Sequence, residues 1–156
     1  MELQTLFSAK DLIVDFSPAD KWEAIRALIE HAATEHGIGP EQVEAIMEAV
    51  VSRERSMSTG MEKGIAIPHA AVDDLESVVP CMGIVSSDDG LAFDSIDRQP
   101  TRFVVLLVIP REQKLLHIRT LADVARVLGR EEVRTRLLET RTCADAHAVL
   151  TNENRD

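Results

Sequence analysis

The sequence predicts a single α/β domain: an α/β sandwich in which a mixed central sheet is flanked by helices on both faces. Three observations carry that expectation. Strand-like and helix-like segments alternate, but two helices come first and several strands then cluster, so the order is not a simple βαβ repeat. The run Phe103 to Ile109 has no polar alternation, as expected of a central strand covered on both sides. The last third is helical throughout by spacing and capping signals.

Taken in order, Leu12-Ile13-Val14 is a short apolar strand. Ser17-Pro18-Ala19-Asp20 then reads as a helix start, with a hydroxyl N-cap, a proline in the first turn and an acid three residues after the cap. Trp22, Ile25, Leu28, Ile29 and Ala32 follow at helical spacing and predict a buried stripe that includes Trp22. His36-Gly37 marks the end. Pro40 opens a second helix whose stripe is Val43, Ile46, Met47, Val50 and Val51. Cys81 to Val85 reads as a strand, and Asp88-Asp89-Gly90 as a turn into a short extended piece at Leu91 to Phe93. Helices are expected at Leu115 to Leu128, at Glu131 to Leu138, and after the capping signal Thr142-Cys143-Ala144-Asp145. No repeat or long linker divides the chain, so residues 1–156 form one domain with a core from about 6 to 150. The tail Asn152 to Asp156 is expected to fray.

Composition narrows the function classes. With 156 residues the chain is long enough for one substantial core, and 45% hydrophobic with 28% charged residues is a globular balance. The net charge of −10, from 27 acidic and 17 basic residues, argues against a nucleic-acid partner. The apolar run Phe103 to Pro110 is too short to cross a bilayer, and Met1-Glu2-Leu3-Gln4 has no secretory pattern, so the expected location is the cytoplasm without membrane insertion. Cys81 and Cys143 lack C-x-x-C spacing and read as small core-type residues.

The most informative stretch is Gly64-Ile65-Ala66-Ile67-Pro68-His69-Ala70. Pro68 fixes φ and removes an amide donor, which ends regular pairing and sets His69 on a stiff ledge at the end of a short strand. One imidazole nitrogen can act as a nucleophile near neutral pH while the other is held by a hydrogen bond. Of the other histidines, His31 and His36 lie late in the first helix, where the dipole accounts for them, and His147 reads as a surface residue. His117 precedes Leu121, Val124 and Leu128 by four, seven and eleven residues, which places it on the buried stripe of its helix. No H-x-x-x-H, H-E-x-x-H, G-x-S-x-G or Gly-Lys-Ser/Thr pattern occurs, so neither a metal nor a cofactor nor a nucleotide is implied.

The longer string Arg53-Glu54, Ser58-Thr59-Gly60 and Gly64 to His69 resembles the active-site segment of the enzyme IIA family of the phosphoenolpyruvate-dependent phosphotransferase system, in its fructose, mannitol and nitrogen-regulatory class. Ala92-Phe93-Asp94, Ile96-Asp97, Gln99-Pro100, Val104 to Pro110, and His117-Ile118 with Leu121 continue the likeness in order, from about Leu6 to about Leu150. The resemblance implies the same sandwich fold and a phosphotransferase component that works without a cofactor. By it, His69 takes a phosphoryl group from a small histidine phosphocarrier protein through Nε2, with Nδ1 on a backbone carbonyl, and passes it to a sugar-specific IIB unit. The alternative is a nitrogen-regulatory protein whose phosphorylation state controls binding to a regulatory target. His117 would stabilise the phosphoryl oxygens and Arg53 supply positive charge. Ser58 and Thr59 hydroxyls with amides around Gly60 or Gly64 would form the cradle. The sequence departs from the family at Glu62 and, more mildly, at Ala70, where glycine is usual; Glu62 is expected to point outward, screened by Lys63.

Overall fold

A computed structural model of the chain describes residues 3–153. The five strands are β1 (Leu12–Phe16), β2 (Ile65–Ala66), β3 (His69–Val72), β4 (Val79–Val85) and β5 (Phe103–Pro110). The helices are α1 (Leu3–Leu6), α2 (Lys21–His36), α3 (Pro40–Ser56), α4 (Lys114–Leu128), α5 (Glu131–Glu139) and α6 (Cys143–Glu153), with a 3-10 turn at Ala9–Asp11. Strand order is β1-β4-β5-β2, and β3 also lies along β5. Only β4 with β5 is antiparallel; β1 on β4, and β2 and β3 on β5, are parallel. The sheet is therefore mixed, as expected.

β5 explains the layering. Val104, Leu106 and Val108 pack against Ile25, Leu28 and Ile29 of α2 and Ile46 and Val50 of α3. Phe103, Val105, Leu107 and Ile109 face Val124 and Leu128 of α4, Val133 and Leu137 of α5, and Ala146 and Leu150 of α6. Every residue of β5 is buried. Strand side chains alternate between faces, so an unbroken apolar run is what a strand needs when both faces are covered.

Several expectations are corrected in detail. The N-cap of α2 is Asp20, whose carboxylate accepts from the Glu23 amide at 2.8 Å; Ser17 instead ties the end of β1 to the Ser86 hydroxyl at 2.8 Å. Trp22 consequently sits in the first turn and is 38% exposed, faced by the Lys21 ammonium and the Arg55 guanidinium rather than by the core. His147 is not a free surface residue, because its Nε2 meets the Phe7 carbonyl at 2.9 Å. His31 and His36 are held by the Lys10 carbonyl and the Asp11 carboxylate, tertiary partners beyond the helix dipole. Cys81 is buried, which pushes its thiol well above the usual range, and Cys143 donates to the Leu12 carbonyl. Of the tail expected to fray, Asn152 and Glu153 continue α6, and residues 154–156 lie outside the described residues.

Candidate functional site

The histidine ledge is built by an interruption that leaves strand register intact. Ile65 pairs with Phe103 and His69 with Leu107, the same offset of 38 residues, so β2 and β3 are one strand broken only at Ile67-Pro68. Pro68 has no N–H to donate, yet its carbonyl still accepts from Leu107 at 3.0 Å. His69 thus opens a resumed strand rather than ending one, a correction to the sequence reading. Its neighbours Ala70 and Val72 enter the α2/α3 core, which leaves His69 on the other face, toward α4.

The break also frees the Ile67 carbonyl, which lies 2.8 Å from His69 Nδ1. A carbonyl can only accept, so Nδ1 carries the proton and the Nε2 lone pair is open. The His69 pKa lies below its ordinary value of 6.5, chiefly because burial penalises the charged ring. The Ile67 carbonyl opposes this, the positive field of Arg53 and His117 adds to it, and Glu54 opposes it. At neutral pH the ring is neutral and nucleophilic at one nitrogen.

His117 reaches this ring from the first turns of α4, with ring centroids 5.4 Å apart and planes at 73°. The stripe read from sequence is fully buried at Val124 and Leu128 but only partly at His117 and Leu121, so α4 opens toward solvent where it meets His69. Arg53 lies in the last turn of α3, donates to the Met57 carbonyl at 2.9 Å, and lines a cleft of about 270 Å³ with Ser58, Thr59, Gly60, His69 and Leu121. Gly60 must be glycine for space: a Cβ there would lie 2.6 Å from the Phe93 carbonyl oxygen and 2.9 Å from Ser95 Cα.

The two hydroxyls proposed for the cradle have other partners here. Ser58 Oγ donates to the Phe93 carbonyl and accepts from the Gly60 amide, while Thr59 Oγ1 and its amide both donate to Glu54. Gly64 is not among the residues lining the cleft. It has φ +76° and its carbonyl accepts from the Arg102 and Phe103 amides, so it serves the entry to β2. Glu62 is exposed and its φ is not positive; the left-handed residues of the loop are Lys63 and Gly64. The loop therefore needs no glycine at 62. The Lys63 ammonium lies 3.4 Å from the Gly129 carbonyl, and its amide is held by Asp97.

Sequence reasoning missed two features. Glu54 is a buried carboxylate that organises the 57–60 loop, and its only signal was the Arg53-Glu54 pair. Exposed apolar side chains also lie near the cleft in the chain: Ile96 lines it, Met57 directly precedes Ser58, and Leu115 and Ile118 share the first turns of α4 with His117. Off-stripe isoleucine and leucine at the start of α4 were the legible hint. Among the described residues no group of three His, Cys, Asp or Glu side chains is placed to hold a metal ion, and no helix is long and apolar enough to cross a membrane.

Residues 5–153 match the family described as phosphoenolpyruvate-dependent sugar phosphotransferase system, EIIA 2. The chain belongs to that family, and so to the phosphotransfer components of the system. It is similar to a nitrogen regulatory protein of Escherichia coli K12, 31% identical over 133 residues, covering 85% of this chain and 78% of that protein. A fructose-specific EIIA component of Haloferax volcanii is 28% identical over 149 residues, covering 96% and 94%. Among solved structures, the nitrogen regulatory protein IIA-Ntr of Neisseria meningitidis superposes with TM-score 0.83 at 19% identity, covering 95% and 98%. The mannitol IIA of E. coli, solved in complex with phosphorylated IIB, gives 0.77 at 21% identity, covering 94% and 97%. At those identities the structures speak for the fold alone.

Proposed function

We propose that His69 is the phosphoryl acceptor of this enzyme IIA protein, a cytoplasmic protein charged by a small histidine phosphocarrier and discharged to a IIB unit. One observation carries the reading: His69 is a neutral imidazole with Nδ1 bonded to Ile67 and Nε2 open in a cleft beside His117 and Arg53. In the transfer, the Nε2 lone pair forms the new N–P bond as the donor imidazole takes back the electrons of the old one. Nδ1 keeps its proton on the Ile67 carbonyl, so no proton has to leave the site. The moving group carries spread negative charge, and the protein's contribution is positioning and charge stabilisation. Arg53 supplies fixed charge, His117 donates to phosphoryl oxygens, and the Ser58-Thr59-Gly60 wall shapes the cradle through its backbone. Gly64 acts at one remove, by holding the entry to β2. The exposed Met57, Ile96, Leu115 and Ile118 form the docking rim for protein partners, which must exclude water from the transfer.

Incubation with phosphoenolpyruvate, enzyme I and phosphocarrier, read by intact mass, should add one acid-labile, base-stable phosphoryl group, about 80 Da. His69→Ala should take up none; uptake at the wild-type rate by that variant refutes the assignment. A second reading, that phosphorylation of the same residue controls binding to a regulatory target, is favoured by the nitrogen regulatory relatives. Onward transfer from the charged protein to a purified IIB unit separates the two.

A further inference from the structure

A chain of short contacts runs from the far side of the cleft wall to the ring of His69. The Glu54 side chain is fully buried and its carboxylate is approached by the Lys21 ammonium at 3.4 Å. Its two oxygens accept from Thr59, one from the amide at 2.8 Å and the other from Oγ1 at 2.5 Å. The Thr59 carbonyl accepts the Ile67 amide at 3.2 Å, and the Ile67 carbonyl accepts from His69 Nδ1 at 2.8 Å. Lys21 is held in turn by Asp94 at 3.0 Å and lies over the ring of Phe93, whose carbonyl takes the Ser58 hydroxyl. Thr59 and Ile67 each present an N–H and a C=O from different peptide groups, so the chain transmits position rather than electronic polarisation.

We propose that Glu54, seated by Lys21, is a positioning residue for His69: acting through Thr59 and Ile67, it sets the Nδ1–H tautomer and the aim of Nε2. A buried carboxylate is costly unless every oxygen is satisfied, and here, beside the Lys21 ammonium, both oxygens accept from one residue of the cleft wall, Thr59. Ile67 is the point of leverage. It lies where Pro68 breaks the ladder, so β5 does not fix its carbonyl, and its amide is fixed only by Thr59. The catalytic consequence rests on His69 being the phosphoryl acceptor; the tautomer consequence does not.

The test uses the full chain, ¹⁵N-labelled, with long-range imidazole correlation spectra at a pH where His69 is neutral. Wild type should show Nδ1 protonated and Nε2 bare, against the opposite preference of a free histidine side chain in water. Glu54→Ala should lose that bias and slow maximal transfer from charged phosphocarrier ten- to a hundred-fold, with KM for the phosphocarrier within two-fold. Glu54→Gln, which still offers an acceptor to the Thr59 amide, should recover the tautomer and most of the rate. Should Glu54→Ala fail to fold because Lys21 loses its buried counter-charge and keeps only the exposed Asp94, Lys21→Met/Glu54→Ala removes that charge and is read in the same way. A folded Glu54→Ala or Lys21→Met/Glu54→Ala variant that keeps the wild-type tautomer overturns the proposal, as does a wild type protonated on Nε2. A correct tautomer in a protein that takes up no phosphate would instead defeat the acceptor assignment and leave the positioning chain standing.

Discussion

Replacing His117 by alanine should separate a phosphoryl ligand from a core residue. His117 is only partly buried, lies on the first turns of α4, and shares an edge contact with His69 at 5.4 Å between centroids. Truncation there removes little packing, and alanine is the better helix former, so the stability change should stay within about 1 kcal/mol. A hydrogen bond to a charged phosphoryl oxygen is worth about 1.5–3 kcal/mol, which is about ten- to a hundred-fold in rate if it is made in the transition state. The assay is stopped-flow or quench transfer from charged phosphocarrier, paired with urea melts followed by far-UV circular dichroism. Circular dichroism is preferred because Trp22 is 38% exposed and reports poorly on core unfolding. A folded variant with normal transfer, or a loss above about 2 kcal/mol in stability with no kinetic change, would return His117 to a structural role.

Four other perturbations, of pH and at Arg53, Gly60 and Glu62, test the same geometry. Because burial depresses the His69 pKa, phosphate uptake should hold down to pH 6.5 and fall only below it. The stability from keeping that ring neutral should likewise be full above 6.5 and be lost as pH drops through the folded-state value; Arg53→Ala, by removing a positive neighbour, should move the NMR titration midpoint up, and a downward move contradicts the assignment. Gly60→Ala drives a Cβ against the backbone at Phe93 and Ser95 and should cost about 1–3 kcal/mol, seen as a lowered melting temperature; an unchanged melt would mean the loop has another seat. Glu62→Gly should change apparent affinity for the phosphocarrier in a salt-dependent way and leave the maximal rate nearly alone, since Glu62 is exposed; a large, salt-independent rise in maximal rate would place the carboxylate against the phosphate.

Features under local control are legible in the residues alone. The uninterrupted apolar run of β5, the left-handed Gly37 that ends α2, Pro40 at the start of α3 and the Thr142 cap of α6 each follow from a residue and its near neighbours. Ile67-Pro68-His69 likewise announced a break with a histidine at its edge. Tertiary structure decided whatever depends on residues far apart in the chain. Whether Trp22 is covered depends on what lies beneath the first turn of α2, which periodicity does not contain. That His69 opens a strand in unbroken register depends on β5, 38 residues away. The partners of Ser58 and Thr59 are Phe93 and Glu54, so hydroxyls that read in sequence as phosphate donors are committed within the fold. Glu54 reads in sequence as one more charge at a helix end. Only the fold, by sealing it under Lys21 and Thr59, makes it the base on which the histidine stands.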